Sequence, residues 1–475
     1  MNYRFPLLIA AQSIILILIF ASCSNSYIDD IDRGDSYNYR PGFPELRMAA
    51  TAYINDSNVP MVTVTGDIVK GSLIYVNQDD RYSASFSLEI TIREQGDGGE
   101  VLMRDSFNDT IVHQGEEITN SQDVYLFERE YDVSPGELLV EVSIIDDQSS
   151  KQTLRRNRIT VPSPGTNSSA ITNVSLLTRN SDSEDMAFNQ ATTFDIPSRM
   201  DSLKFRFQAI NRNADTGLNV QMRLLRFESD TSIARPMNYS DYSPSSIQRI
   251  GIDYDEYEVV QSSVRNLTQP GNVVIEYNFH ELQRGNYRLE VSSGEGEERI
   301  YKAMEFGIKS PNYPSLKSAR ELAAPLAYIM TEKEYERIMG ISDPAALKNA
   351  IDRFWLSNIG NSNKAREVIS LYYERVEEAN KQFSNFKEGW KTDTGMMYIL
   401  FGPPMYVNTY STEMIWSYSY NREDPESNFI FDRPKLNTKF YPFDNFVLRR
   451  SNYYYNVQRR QVERWLSGSI LTRAF

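Results

Sequence analysis

The sequence predicts a mainly β protein with a C-terminal α+β domain: two immunoglobulin-like β-sandwiches in series, then a helical segment and a small sheet. Three observations carry this. Apolar residues alternate at strand spacing through two long regions of the first 310 residues. A Pro-, Ser- and Gly-rich stretch, Val161 to Ser169, separates them. Beyond Pro311 and Pro314 the apolar period becomes helical.

An apolar run from Phe5 to Phe20 begins just after Arg4, broken by Gln12 and Ser13 and followed by Ala21-Ser22-Cys23. The run is too short for a spanning helix, which needs about 20 apolar residues. A charged start, a short apolar core and small residues before the chain's only cysteine resemble a bacterial lipoprotein signal. The resemblance implies that residues 1–22 are a signal peptide and that Cys23 is the lipidated first residue of the mature protein. It implies the membrane as a partner through that lipid, and a place in the Gram-negative cell envelope, on either face of the outer membrane. Residues 23–41 then read as an acidic tether, with Asp29, Asp30 and Asp32.

Region 42–163 is the first expected sandwich. Phe86, Leu88, Ile90 and Ile92 alternate, and Leu139 to Ile145 is a second strand-like stretch. Region 170–309 is the second, with Leu203, Phe205 and Phe207, then Val220, Met222 and Leu224. Each contains a glycine turn running into an alternating strand, at Gly136-Glu137-Leu138-Leu139-Val140 and Gly285-Asn286-Tyr287-Arg288-Leu289. This weak internal repeat points to two related sandwiches. The 30 tyrosines suit sheets whose rings pack while their hydroxyls stay wet.

Region 313–475 is the expected α+β domain. Thr331 with Glu334 forms a capping box, and Asp343-Pro344 is an N-cap followed by proline at the first helical position. Leu347, Ile351, Phe354 and Trp355 share a face of that helix. The next helix, about 364–383, buries Val368, Ile369, Tyr372, Val376 and Ala379 and turns Glu374, Arg375, Glu377 and Glu378 to water. Then come Gly389-Trp390-Lys391-Thr392-Asp393, an apolar stretch expected as a strand, and Gly402-Pro403-Pro404 to end it. Together with Arg353-Phe354-Trp355 and Tyr373-Glu374-Arg375-Val376, this ordered set resembles the GWxTD domain of bacterial envelope proteins. The resemblance implies a compartment and carries no assigned reaction. Physically, Gly389 relieves crowding at a helix end, Trp390 plugs a joint between helices and sheet, and Thr392 and Asp393 bond the turn backbone. The other reading places Trp390 and Asp393 in a groove that binds a glycan or peptide.

Residues able to do chemistry are few. With Cys23 lipidated there is no thiol nucleophile and no Cys/His zinc cluster, and disulfides are excluded. His113 and His280 fall in different sandwiches, at predicted edges. No phosphate-binding glycine loop precedes a helix. The acidic run Asp253 to Glu258 reads as a solvated turn; it lacks the ligand spacing of a calcium loop. The net charge of −14 resides in the first two-thirds of the chain and disfavours nucleic acid as a partner. The basic, tyrosine-rich tail, Arg449 to Trp465, reads as an amphipathic helix packed by Val457, Val462 and Trp465. The sequence therefore favours a non-catalytic binding or scaffold module with an envelope protein or glycan as partner and no cofactor or metal. The alternative is a polysaccharide hydrolase using paired carboxylates.

Overall fold

The computed structural model describes residues 43–472 except 80, 97, 165–167, 182–186, 213–216, 296–298, 422–423 and 435–443. Cys23, the signal segment and the tether lie outside the described residues.

The first sandwich packs two sheets. One is β1 (Leu46–Ile54), β2 (Pro60–Val69) and β6 (Val124–Asp132), in the order β1-β2-β6. In the other, β4 (Arg81–Glu94) pairs with β5 (Val101–Gln114) on one side, and with β3 (Val76–Gln78) and β7 (Gly136–Asp146) on the other; β8 (Gln152–Val161) follows β7. All pairs are antiparallel. Val62, Val64, Phe86, Ile90, Val140 and Val142 meet in the core, each at alternate positions of its strand.

The second sandwich repeats this plan. Its first sheet is β10 (Ser175–Arg179), β13 (Ser202–Asn211) and β16 (Gly271–His280), with β9 (Ala170–Ile171) on β13 and β11 (Asn189–Gln190) on β10. The facing sheet runs β12 (Asp195–Pro197), β18 (Ile300–Lys309), β17 (Gly285–Ser293), β14 (Leu218–Ser229), β15 (Ile252–Leu267). Strand β12 pairs in parallel with β18; the others are antiparallel. Three strands against a meandering set of four, in the same chain order, give both modules the immunoglobulin-like arrangement. The two glycine turns of the sequence repeat open β7 and β17, which occupy equivalent positions. Tyr287 sits near the start of β17 and its hydroxyl donates to the Gln283 carbonyl at 2.7 Å, the tyrosine corner of such sandwiches. Leu138 takes that position in the first module.

The modules are bonded to each other. The Gln208 side-chain amide accepts from Ile54 N and donates to Ile54 O, both at 2.8 Å and buried, so it acts as one more rung on β1. Thr192 donates to Asp67 at 2.6 Å.

The C-terminal part has helices α1 (Ala319–Ala323), α2 (Glu332–Met339), α3 (Pro344–Ile359) and α4 (Ser362–Phe383). Next come α5 (Asp393–Phe401), a sheet of β19 (Tyr406–Thr409), β20 (Glu413–Ser417), β21 (Asn428–Asp432) and β22 (Val447–Leu448), and α6 (Tyr454–Ser467). Both caps form as the sequence predicts: Thr331 and Glu334 make a reciprocal box, and Asp343 accepts from Ala346 N at 2.7 Å. Trp355 and Trp465 stand edge-on to Tyr372, with centroids 5.4 and 5.0 Å away, at the centre of the helical core.

Three local expectations are corrected. The stretch after Asp393 is a helix, with every residue of α5 buried. A short, uniformly apolar run carries no period to tell helix from strand. Arg375 does not face water: it lies over the Trp465 ring at 5.2 Å and donates to Ile399 O. The acidic run 253–258 is the start of β15, not a turn.

Replacing Tyr287 by Phe leaves the Gln283 carbonyl without its donor. The expected loss is about 1 kcal/mol, measured as a lower denaturant midpoint with unchanged slope.

Candidate functional site

The GWKTD residues form a buried joint between α4, α5 and the second sandwich. The chain leaves α4 at Phe383 and turns back so closely that side chains cannot fit. A Cβ on Gly389 would sit 1.9 Å from the Ala379 carbonyl oxygen, and one on Gly395 would sit 1.9 Å from the Gly389 carbonyl oxygen. Three backbone segments are thus stacked in contact, which only glycine allows. Thr392 locks the stack: its hydroxyl donates to Gly389 O at 2.7 Å and accepts from Gly395 N at 2.9 Å, capping α5.

Trp390 is buried in the helical core, its ring edge-on to Tyr328, whose hydroxyl donates to Trp390 O at 2.6 Å. The Trp390 indole N–H donates to Glu388 Oε2 at 3.1 Å, and Ser310 N donates to Glu388 Oε1 at 2.8 Å. Burial alone would raise the Glu388 carboxyl, but the Lys391 and Arg284 cations and the Ser310 amide outweigh it and bring it down to about 2.

Asp393 holds a cation. Arg450 donates to its two oxygens at 2.6 and 2.8 Å, and Leu448 N donates to it at 2.8 Å. The Arg450 side chain has no solvent exposure. Its remaining donors reach the carbonyls of Arg235 and Pro236, and its guanidinium stacks on Tyr242 at 4.6 Å. Those three residues belong to the long β14–β15 connection, which inserts Ala234 and Met237 into the helical core. The equivalent β4–β5 connection of the first sandwich is a short hairpin.

Further buried pairs tie the same joint. Lys309, at the end of β18, pairs with Asp195 at 3.3 Å and donates to Asn385 O at 2.7 Å. Burial pushes the Lys309 ammonium down and the Asp195 carboxyl up. Lys387 pairs with Asp230, and Asn286 donates to Phe386 O at 2.8 Å. Lys381 on α4 reaches Glu45 at 3.0 Å, beside the first strand of the first sandwich.

Thus Gly389, Trp390, Thr392 and Asp393 come together as one packed unit. Gly402 closes α5: its carbonyl accepts from the Tyr418 hydroxyl at 2.8 Å, while Pro403 is exposed and Pro404 half-buried. Sequence reasoning missed Arg450, read as part of a basic tail, and missed Asp195, Lys309, Asp230 and the 230–251 loop. No local pattern marks residues whose partners lie more than 50 positions away. Among the described residues, no three His, Cys, Asp or Glu side chains gather as metal ligands would. The outer strand β19 and its surroundings instead expose Tyr406, Val407, Tyr410 and Tyr420, the last at 78%.

Residues 287–467 match the GWxTD domain family. The match starts within β17, so it takes in the last two strands of the second sandwich. No curated protein matches the chain. Similar solved structures include red sea bream transglutaminase, at 8% identity and a TM-score of 0.19, covering 56% of this chain and 31% of that one. Another is trypsin-activated alpha-2-macroglobulin from Escherichia coli, at 10% identity and a TM-score of 0.17, covering 56% of this chain and 17% of that one. The chain spans less than a third of either protein's length.

Asp393→Ala should cost roughly 3–5 kcal/mol by stranding the buried Arg450 charge, whereas Asp393→Leu with Arg450→Met should recover much of it. Denaturant unfolding of the three proteins checks this. Glu388 titrates lower in the fold than its unfolded value of about 4.3, so its contribution is present above that pH and is lost as pH falls towards 2. Glu388→Gln should be less stable at pH 7 and lose less stability between about pH 4.5 and 2.

Proposed function

We propose that this chain is a lipid-anchored cell-envelope protein of a Gram-negative bacterium, acting as a non-catalytic binding scaffold. Cys23 holds it to the outer membrane, the tether enters the fold beside α4, where Glu45 pairs with Lys381, and the C-terminal domain recognises an envelope protein or glycan. What carries the reading is how the motif's polar groups are used. Glu388 is held by Ser310, Trp390 and Lys391, and Asp393 by Arg450 and Leu448. Both carboxylates are buried and occupied, so neither supports the polysaccharide-hydrolase alternative. GWKTD is the joint, and recognition falls to the exposed face around β19. There Tyr406 and Tyr420 stand edge-on with ring centroids 6.1 Å apart, and Val407 and Tyr410 lie beside them, which suits stacking on a sugar ring or an apolar side chain. Among the described residues no helix is long and apolar enough to cross a membrane.

Crosslinking of the anchored protein in native membranes, read by mass spectrometry, tests this. Tyr406→Ser with Tyr410→Ser and Tyr420→Ser should leave the melting temperature within a few degrees of wild type and abolish the crosslinked partner. Cys23→Ala should lose incorporated palmitate and release the protein from the membrane fraction. Retention of the partner by the triple variant would contradict the assignment of the recognition face.

A further inference from the structure

The acidic strand β15 is unusual for its position. Among the described residues it is the outermost strand of its sheet and pairs only with β14, and it runs for 16 residues. Its counterpart in the first sandwich, β5, is sealed against the neighbouring sheet. There Tyr125 donates to Asp109, Tyr131 donates to Asp105 at 2.8 Å, and Phe107 meets Phe127 at 6.2 Å. Inward residues of β5 are accordingly half-buried at every second position. On β15 such a contact lies near the turn, where Arg265 stands over Tyr277 at 5.6 Å. Residues 255–262 are all exposed, with Tyr257 and Val259 at 45% and 47% and Val264 beyond them at 61%. A long edge with apolar residues and unpaired backbone groups is a template for another strand.

We propose that β15 accepts an extended, Lys- or Arg-bearing segment of a partner protein by strand addition. Backbone hydrogen bonds along 257–267 would supply affinity, and side chains at alternate positions would select the partner. The charge of that partner follows from the strand. Asp255, Glu256 and Glu258 form no ion pair among the described residues, while Arg265 is the strand's only cation. Pairing is irregular between Leu224 and Leu225 and between Phe227 and Glu228, where the acidic half bulges from β14. The second bulge takes Asp255 and Glu256 out of the regular ladder while Glu258 stays in register with Arg226, and these carboxylates repel acidic or identical strands laid side by side in parallel. A basic extended segment meets both features: apolar contacts with Val259, Val260 and Val264 and ion pairs with the acidic half.

The test uses the full chain and a fluorescein-labelled peptide, KTKVTVSVTG, read by fluorescence anisotropy. Two further versions carry N-methyl groups on alternate residues, one set in each register. Strand addition predicts that one N-methylated version binds at least roughly tenfold more weakly while the other binds like the parent, since only one set of N–H groups faces the protein. Replacing the two lysines by glutamates, or Glu256 and Glu258 of the protein by Gln, should weaken binding roughly tenfold. Val264→Lys should weaken it at unchanged melting temperature. Equal binding by both N-methylated versions, or no binding by the parent peptide, would overturn the proposal. So would a chain that sediments as a dimer and becomes a monomer on Val264→Lys, because the occupant would then be a second copy.

Discussion

The fold around the motif depends on keeping one guanidinium dry. Arg450 has no solvent exposure, and a charge taken out of water must find both a counter-charge and a partner for each remaining donor. Asp393 supplies the counter-charge from the first turn of α5, where the helix N-terminus also favours an anion. The other partners are carbonyls of Arg235 and Pro236, which belong to the sandwich. Satisfying Arg450 therefore requires the β14–β15 connection to leave its own sheet and enter the helical core. The same connection brings Met237 and Ala234 with it. One buried pair thus explains why this loop is long when its counterpart in the first sandwich is a hairpin.

The glycines set the geometry on which that pair relies. Stacking of Ala379, Gly389 and Gly395 sets the Gly389 segment in backbone contact with both α4 and α5, and Thr392 fixes where α5 begins. Asp393 is the next residue, so its direction is set by the cap. Lys309 with Asp195 and Lys387 with Asp230 then fasten the other side of the turn to the sandwich. A buried ion pair adds little net stability compared with apolar packing, but it penalises every arrangement that separates its members. Such pairs spread around one turn define a single relative placement of sandwich and helices. The family match begins in β17, consistent with the last two sandwich strands being part of the same unit.

Much of this was legible in the sequence because it is local. Alternation at Phe86 to Ile92 and at Leu203 to Phe207 marks strands, and Thr331-Glu334 and Asp343-Pro344 mark helix starts. The turn glycines Gly136 and Gly285 mark equivalent strands of two sandwiches. What was not legible is long-range. Helix α5 reads as a strand because it is apolar on every side, and Arg375 reads as a surface residue because Trp465 lies 90 positions away. Of the candidate site, Gly389 allows close approach, Trp390 fills the core and Thr392 caps, much as the sequence suggests, whereas Asp393, expected to bond the backbone of its own turn, instead accepts from Leu448 N and Arg450. Arg450, which gives Asp393 its purpose, carries no sequence signal beyond a pair of arginines before a tyrosine run.

The central claim is that the GWKTD turn makes the second sandwich and the C-terminal helices one cooperative unit. Native-state hydrogen exchange tests it most directly, comparing the amides of β17 and β18 with those of α4 and α5. A shared opening free energy, falling together for both sets in an Asp393→Asn variant, is the predicted result. Opening of α4 and α5 at a distinctly lower free energy while β17 and β18 stay protected would contradict it.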